Sequence, residues 1–338
     1  MKQEAKLPLH QEQQQSQKLD ATKSSASASA SASTSSTLTA AGDKRRRRRN
    51  MSKLSPGLKA LINAPFARPG PCKVVKGAAV VGELFRGIAK EARGRGVGNR
   101  AWLAISAAAT FTLNSPDALS ILHGIAAAER GGSQTAQVRT AEFIREVGLK
   151  CISFNGIPRT INCLNAFHAS LPRDITSQLT TEPSRTLKAD NVEAVKARGR
   201  GLWDSIYAPF EDKLVDKLGT SHPDLPVVIL NCHYGPLLSD PDGRRGVGRV
   251  MTSLVAVASL RAQTGVGPQV LSHVFGLRKA VDDDSFRDDL VVEDGGEEER
   301  ESEEGVRWLA GDEGGEWMLK TVDRIVEGLG GSNFAAKL

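Results

Sequence analysis

Arg100-Ala-Trp-Leu-Ala-Ile-Ser-Ala-Ala-Ala-Thr110 and Arg249-Val-Met-Thr-Ser-Leu-Val-Ala-Val-Ala-Ser-Leu260 are two runs of one design. Each opens on an arginine and continues through small apolar residues. Each then meets a turn signal, Asn114-Ser115-Pro116-Asp117 in the first and Gly265-Val266-Gly267-Pro268 in the second. Past the turn comes an apolar stripe holding one histidine, His123 or His273, at Arg-to-His spacings of 23 and 24 residues. Both runs exceed the length of an ordinary strand, and Pro116 and Pro268 suit the first turn of a following helix. We read an all-α protein with an internal duplication, two helical hairpins with one histidine in each.

Composition supports helices packed through small side chains. The chain is 338 residues long and 40% hydrophobic, but only 5% aromatic. Ala- and Gly-rich segments must therefore make the close contacts, which favours helices over aromatic-rich strands. Four cysteines (Cys72, Cys151, Cys163 and Cys232) stand far apart, with neither a disulfide framework nor zinc-ligand spacing. They read as reduced thiols of an intracellular protein, cytoplasmic first, with nuclear or mitochondrial placement as alternatives. No apolar run is long enough to span a bilayer, and the first twenty residues lack the apolar core of a signal peptide. A membrane partner is therefore not expected.

The net charge of +6 conceals a segregation. Residues 1–50 hold ten Lys/Arg against four acids, and residues 282–304 hold thirteen acids against two arginines. The tail, Gln- and Ser-rich and ending in Lys44-Arg45-Arg46-Arg47-Arg48-Arg49, reads as a disordered basic segment, with Met51 an alternative start. The acidic stretch, 282–305, reads as a mobile insertion. The organisation expected is a tail at 1–50, a first helical copy at 51–172 and a second at 173–338. Pro172–Pro183 is the connector, and Trp317, Leu319, Val322, Ile325, Val326 and Leu329 face one side of a final helix. Val227-Val-Ile-Leu230 fits a buried strand or a helix; we take helix.

The segment Gln269-Val-Leu-Ser-His273-Val-Phe-Gly276 and the element Gly156-Ile-Pro158, set between an acidic helix start at Ala141-Glu142 and a small-residue helix to Phe167, carry a resemblance. They resemble the carboxymuconolactone decarboxylase and alkylhydroperoxidase D-like (AhpD-like) family over roughly residues 54–281 plus the last helix. The resemblance implies an all-α fold built on a helical hairpin and a histidine that works in a pocket. In the peroxidase branch a Cys-x-x-Cys pair precedes that histidine. Here the matching positions are Pro116 and Leu119, residues 262–271 contain no cysteine, and no Cys-x-x-Cys occurs anywhere in the chain. Thiol peroxidase chemistry needs two exchanging thiols, so it is not expected.

What remains from the resemblance is a cofactor-free lyase acting on a small anionic acid or lactone. His273 would be the proton carrier and Arg249, or Arg261, the carboxylate anchor, with His123 the corresponding group of the first copy. A homo-oligomer is expected in either case, and the alternative is a non-catalytic oligomeric scaffold of the same fold. Cys232-His233 is a poor nucleophile–base pair, because neighbours on a helix diverge by roughly 100°; a buried cysteine beside a capping histidine reads better. His222 and His233 lack companions at metal-ligand spacing, and neither metal nor cofactor is expected. Arg93, Arg95, Arg100, Arg198 and Arg200 have no interleaved aromatics, so nucleic acid is an improbable partner and a solvated basic face is expected.

Overall fold

In the computed structural model, the two Ala-rich runs become the central pair of helices. The structure describes residues 54–62, 64, 77–241, 246–290 and 300–331. The low-complexity tail lies outside them. The chain divides into two units, residues 1–64 and 65–338. In the first, α1 (Pro56–Ile62) is a short exposed helix whose Leu58 N–H is accepted by the Ser55 hydroxyl.

The second unit is all-α among its described residues. In chain order come α2 (Gly77–Gly94), α3 (Asn99–Thr112), α4 (Pro116–Glu129), α5 (Gln134–Lys150), α6 (Ile152–Asn155), α7 (Ile157–Ser170) and α8 (Arg173–Thr176). There follow α9 (Val192–Tyr207), α10 (Glu211–Ser221), α11 (Asp224–Val228) and a π-helix (Ile229–Leu238). The chain then forms α12 (Arg249–Gln263), α13 (Gly267–Asp282), a 3₁₀ turn (Ser285–Asp289), α14 (Glu303–Ala310) and α15 (Asp312–Gly328).

α3 and α12 pack against one another at the centre. Every residue of α3 after Asn99 is buried, and α12 exposes little beyond Arg249, Arg261 and Gln263. Helices this apolar on all sides belong in a core, and their Ala, Ser and small β-branched residues let neighbours approach on every face. Buried hydroxyls return to their own helix: Thr110 donates to the Ser106 carbonyl at 2.7 Å and Thr112 to that of Ala108 at 2.8 Å. Both hairpin turns need left-handed backbone, taken by Asn114 (φ 54°) in one and by Thr264 and Gly265 (φ 64° and 71°) in the other.

The acidic stretch is where the structure departs most from the sequence reading. Its described ends are built into the core, whereas residues 291–299 lie outside the description. Phe286 is fully buried, and Asp289 and Glu301 are buried carboxylates. Glu301 accepts from the backbone N–H groups of Gly98 (3.1 Å) and Ala101 (3.0 Å), at the start of α3. Asp289 accepts from Val250 N–H at the start of α12. A helix start presents unpaired N–H groups and a partial positive charge, so each carboxylate satisfies both needs. A Cβ at Gly98 or Gly248 would collide with these carboxylates, which explains a glycine before each arginine. The stretch also starts a helix, α14, capped by the Ser302 hydroxyl on Gly305 N–H at 2.8 Å.

The Val227–Leu230 run is helical, but it continues as a π-helix, not an α-helix. Gly199 does not interrupt α9: it lets the backbone at Tyr234–Gly235 of the π-helix pass against it. Among the described residues no helix is long and apolar enough to cross a membrane.

Candidate functional site

The two histidines occupy buried positions with opposite consequences. His123 on α4 has its Nε2 at 2.9 Å from the Gln137 carbonyl of α5, and its ring sits edge-on to Phe167, 5.6 Å between centroids. Burial lowers its pKa from the ordinary histidine value. Every feature of it is that of a structural histidine tying α4 to α5.

His273 on α13 is 4% exposed, and its Nδ1 is buried without a hydrogen-bond partner. Its ring is edge-on to Phe154 (5.9 Å) and Tyr207 (6.1 Å). Desolvation, with the nearby Arg249 cation second, lowers its pKa to about 4, so the ring is neutral at physiological pH. A buried imidazole nitrogen without a partner normally costs stability, and such groups concentrate where a protein binds or reacts.

Arg249 begins α12 and reaches across the cluster. Its Nη1 donates to Ser253 Oγ at 2.7 Å, and its Nη2 donates to the carbonyls of Ser205 (3.0 Å) and Gly276 (2.6 Å). The guanidinium therefore staples α9, α12 and α13 together. It is not the open carboxylate anchor expected from its place in the sequence. Its Nε is buried without a partner, and no carboxylate among the described residues touches it; Asp283 and Asp289 act on it only through their fields. Arg261 is elsewhere, in a bidentate pair with Asp323 on the surface (2.8 and 2.7 Å).

The other members of this cluster were not singled out by motif or spacing. Tyr207 ends α9 and Tyr234 lies on the π-helix; their hydroxyls are 3.0 Å apart. Trp203 packs on both, with ring centroids 4.2 Å from Tyr207 and 5.0 Å from Tyr234. Burial raises the pKa of both phenols, most strongly for Tyr234. A neutral imidazole, a phenol pair and a partly buried cation thus share one small volume. The set can accept or pass a proton and favours an added negative charge.

A second buried polar group was also missed. Lys150 is fully buried and its Nζ donates to Leu238 O (2.6 Å), Asp240 Oδ1 (2.8 Å), Thr252 Oγ1 (3.1 Å) and Val247 O. With its donors consumed, it ties α5, the end of the π-helix and the start of α12 together. Cys232 is exposed, not buried, and His233 turns away from it to bond Ser153 Oγ at 3.0 Å. The arginines read as a basic face do not converge: Arg93 pairs with Glu129, Arg95 lies over Trp308, and Arg100 is buried. No cluster of potential metal ligands occurs among the described residues.

Comparison with known proteins bears on what this site serves. The chain is 31% identical over 156 residues to Peroxisomal protein 2 of Saccharomyces cerevisiae, covering 40% of this chain and 53% of the relative. It is 29% identical over 133 residues to Peroxisomal protein 2 of Schizosaccharomyces pombe, covering 39% of this chain and 58% of that one. The chain thus spans about half the length of the curated relatives it matches. No family model matches it. No solved structure matches it. Both relatives are named for the peroxisome, and neither for a decarboxylase. The expected carboxymuconolactone decarboxylase-like activity is corrected on this ground, and so is the expected cytoplasmic, nuclear or mitochondrial placement.

Proposed function

We propose that this protein works in the peroxisome and that its working site is the buried cluster of His273, Tyr207, Tyr234 and Arg249. The location rests on the names of its two yeast relatives. The sequence also carries Ala336-Lys337-Leu338, a small–Lys–Leu order like the Ser-Lys-Leu peroxisomal address. The site rests on one observation. His273 Nδ1 and Arg249 Nε are buried in the same cluster without hydrogen-bond partners, whereas His123 is satisfied by a backbone carbonyl.

Its chemistry follows from the charges. Arg249 holds a partly buried positive charge with no carboxylate of the described residues in contact, so an anionic ligand gains from entering. The same anion would offset the Arg249 field, the smaller of the two causes that hold His273 neutral after desolvation, raising its basicity when the site is filled. His273 is thus a proton acceptor switched on by its ligand, with the Tyr207–Tyr234 pair as the adjoining hydroxyl donors. We further propose that the two hairpins descend from one AhpD-like unit. Support comes from matched features: Gly98-Asn99-Arg100 and Gly248-Arg249 at the two helix starts, a buried carboxylate on each, and a histidine after each turn.

Two experiments test this reading. A fluorescent reporter placed upstream of the chain should co-localise with a peroxisomal marker, and the tripeptide appended to an unrelated reporter should suffice to send it there. A diffuse cytosolic signal for the full chain would refute the location. For the site, His273→Gln should abolish the ligand response of Trp203 emission and leave folding intact, whereas His123→Gln should do the reverse.

A further inference from the structure

Outside the buried cluster, on the far side of Tyr207, lies a surface groove of about 440 Å³ between the end of α9, α10 and α13. This is within the size range of small-molecule sites. Its walls are apolar. Phe210 and Phe275 are 61% and 53% exposed, which is far more than aromatic side chains of this size normally leave in water, and Leu214 lies between them. Its charged members are all cations, Lys213, Lys217 and Lys279, and no acid lines it. Glu211 and Asp283 act on Lys279 only through their fields, and Asp212 is held by Arg200. Lys279 spends one donor on the Ile206 carbonyl at 3.2 Å, leaving two for a ligand.

Apolar walls with a one-sign rim define an occupant. A neutral apolar compound would leave the charges of three ammonium groups unneutralised, Lys213 lying over the Phe210 ring and Lys279 bonded only to a carbonyl, and a hydrophilic anion would leave two exposed phenyl rings in water. A bilayer surface would need these aromatics to project from the molecule; here they line a concavity. We infer that the groove binds a single-chain amphipathic carboxylate, its alkyl chain against Phe210, Leu214 and Phe275 and its head among the three lysines. Tyr207 is both the floor of the groove and the neighbour of His273, so an occupant lies one ring away from the buried cluster. This rests on the proposed site being the working one, and it adds the class of molecule that reaches it.

The test uses the full chain and dodecanoate, kept below its micelle concentration and followed by calorimetry and by Trp203 emission. Saturable one-to-one binding is expected, with dodecyltrimethylammonium and acetate both failing to bind. The triple variant Lys213→Ala, Lys217→Ala, Lys279→Ala should bind roughly ten-fold or more weakly, since three partly screened charges are lost. Phe275→Ser, at an exposed position, should weaken binding without unfolding the helix, as circular dichroism would verify. Equal binding of the cationic amphiphile would overturn the inference, as would unchanged affinity in the triple variant. So would capture by anionic phospholipid vesicles without binding of the monomeric acid. A response of His273 to acetate in the absence of dodecanoate binding would refute the groove while leaving the buried site standing.

Discussion

The α3–α4 and α12–α13 hairpins share an order of residues but not a use of them. In the first, Arg100 donates to the backbone carbonyls of Asp289 (3.2 Å) and Gly246 (2.6 Å), and His123 is bonded to Gln137. In the second, Arg249 also serves backbone carbonyls, but its Nε and the Nδ1 of His273 are left over. The difference comes from what packs outside each histidine. α5 offers His123 a carbonyl and Phe167 an apolar wall, while Phe154 of α6 and Tyr207 of α9 flank His273, and Trp203 and Tyr234 pack on Tyr207. Equivalent sequence places therefore need not be equivalent sites. The surroundings decide which histidine is fastened and which is available.

The largest expected effects come from removing what both hairpins share. Glu301→Ala would strip the cap from α3 and Asp289→Ala the cap from α12. Each leaves buried backbone N–H groups without their acceptor, a loss of about 1–3 kcal/mol for each such group. Chemical denaturation of the two variants would measure it, and a much smaller loss for one of them would mean that the hairpins are not held alike.

Next is a pH effect that separates the histidines. His273 has a pKa of about 4 in the fold against an ordinary 6.5, so between these values the unfolded chain takes up the proton and the folded chain does not. Stability should therefore fall as pH drops from 6.5 towards 4, with a contribution from His273 approaching about 3 kcal/mol. His123 shifts in the same direction and adds to the fall, whereas the raised pKa values of Asp289 and Glu301 act oppositely. The difference between wild type and His273→Gln across this range isolates the term; identical slopes would contradict the burial of a neutral His273.

At constant neutral pH, His123→Gln should cost about 1–2 kcal/mol by disturbing a buried bond and an aromatic contact, and His273→Gln less than about 1 kcal/mol. Equal losses in thermal unfolding would erase the distinction between the hairpins. The smallest effect belongs to Arg261→Ala, within about 1 kcal/mol, because its bidentate partner Asp323 is exposed to water and salt.

Much of the helical framework was legible from residue order. Small-residue runs gave α3 and α12, and Pro116 and Pro268 marked the helices that follow them. The acidic stretch was misread because charge density suggested solvation. Yet Ser302 followed by Glu303 and Glu304 is a helix-start signal, and Phe286 beside the aspartates is an anchor. The site was half legible. His273 and Arg249 stood out by their repeat, but Tyr207 and Tyr234 come from α9 and a π-helix that no period reveals. The role of Arg249 was misjudged because its carbonyl partners on α9 and α13 lie 44 and 27 residues away in sequence.

Long-range ¹H–¹⁵N NMR of the histidine rings, titrated with acid and then with dodecanoate at neutral pH, addresses the central claim most directly. His273 is expected to stay neutral until the pH nears 4 and its ring nitrogens to shift on addition of the carboxylate, while His123 does not respond. A His273 that titrates near 6.5, or a ligand response confined to His123, would contradict the claim.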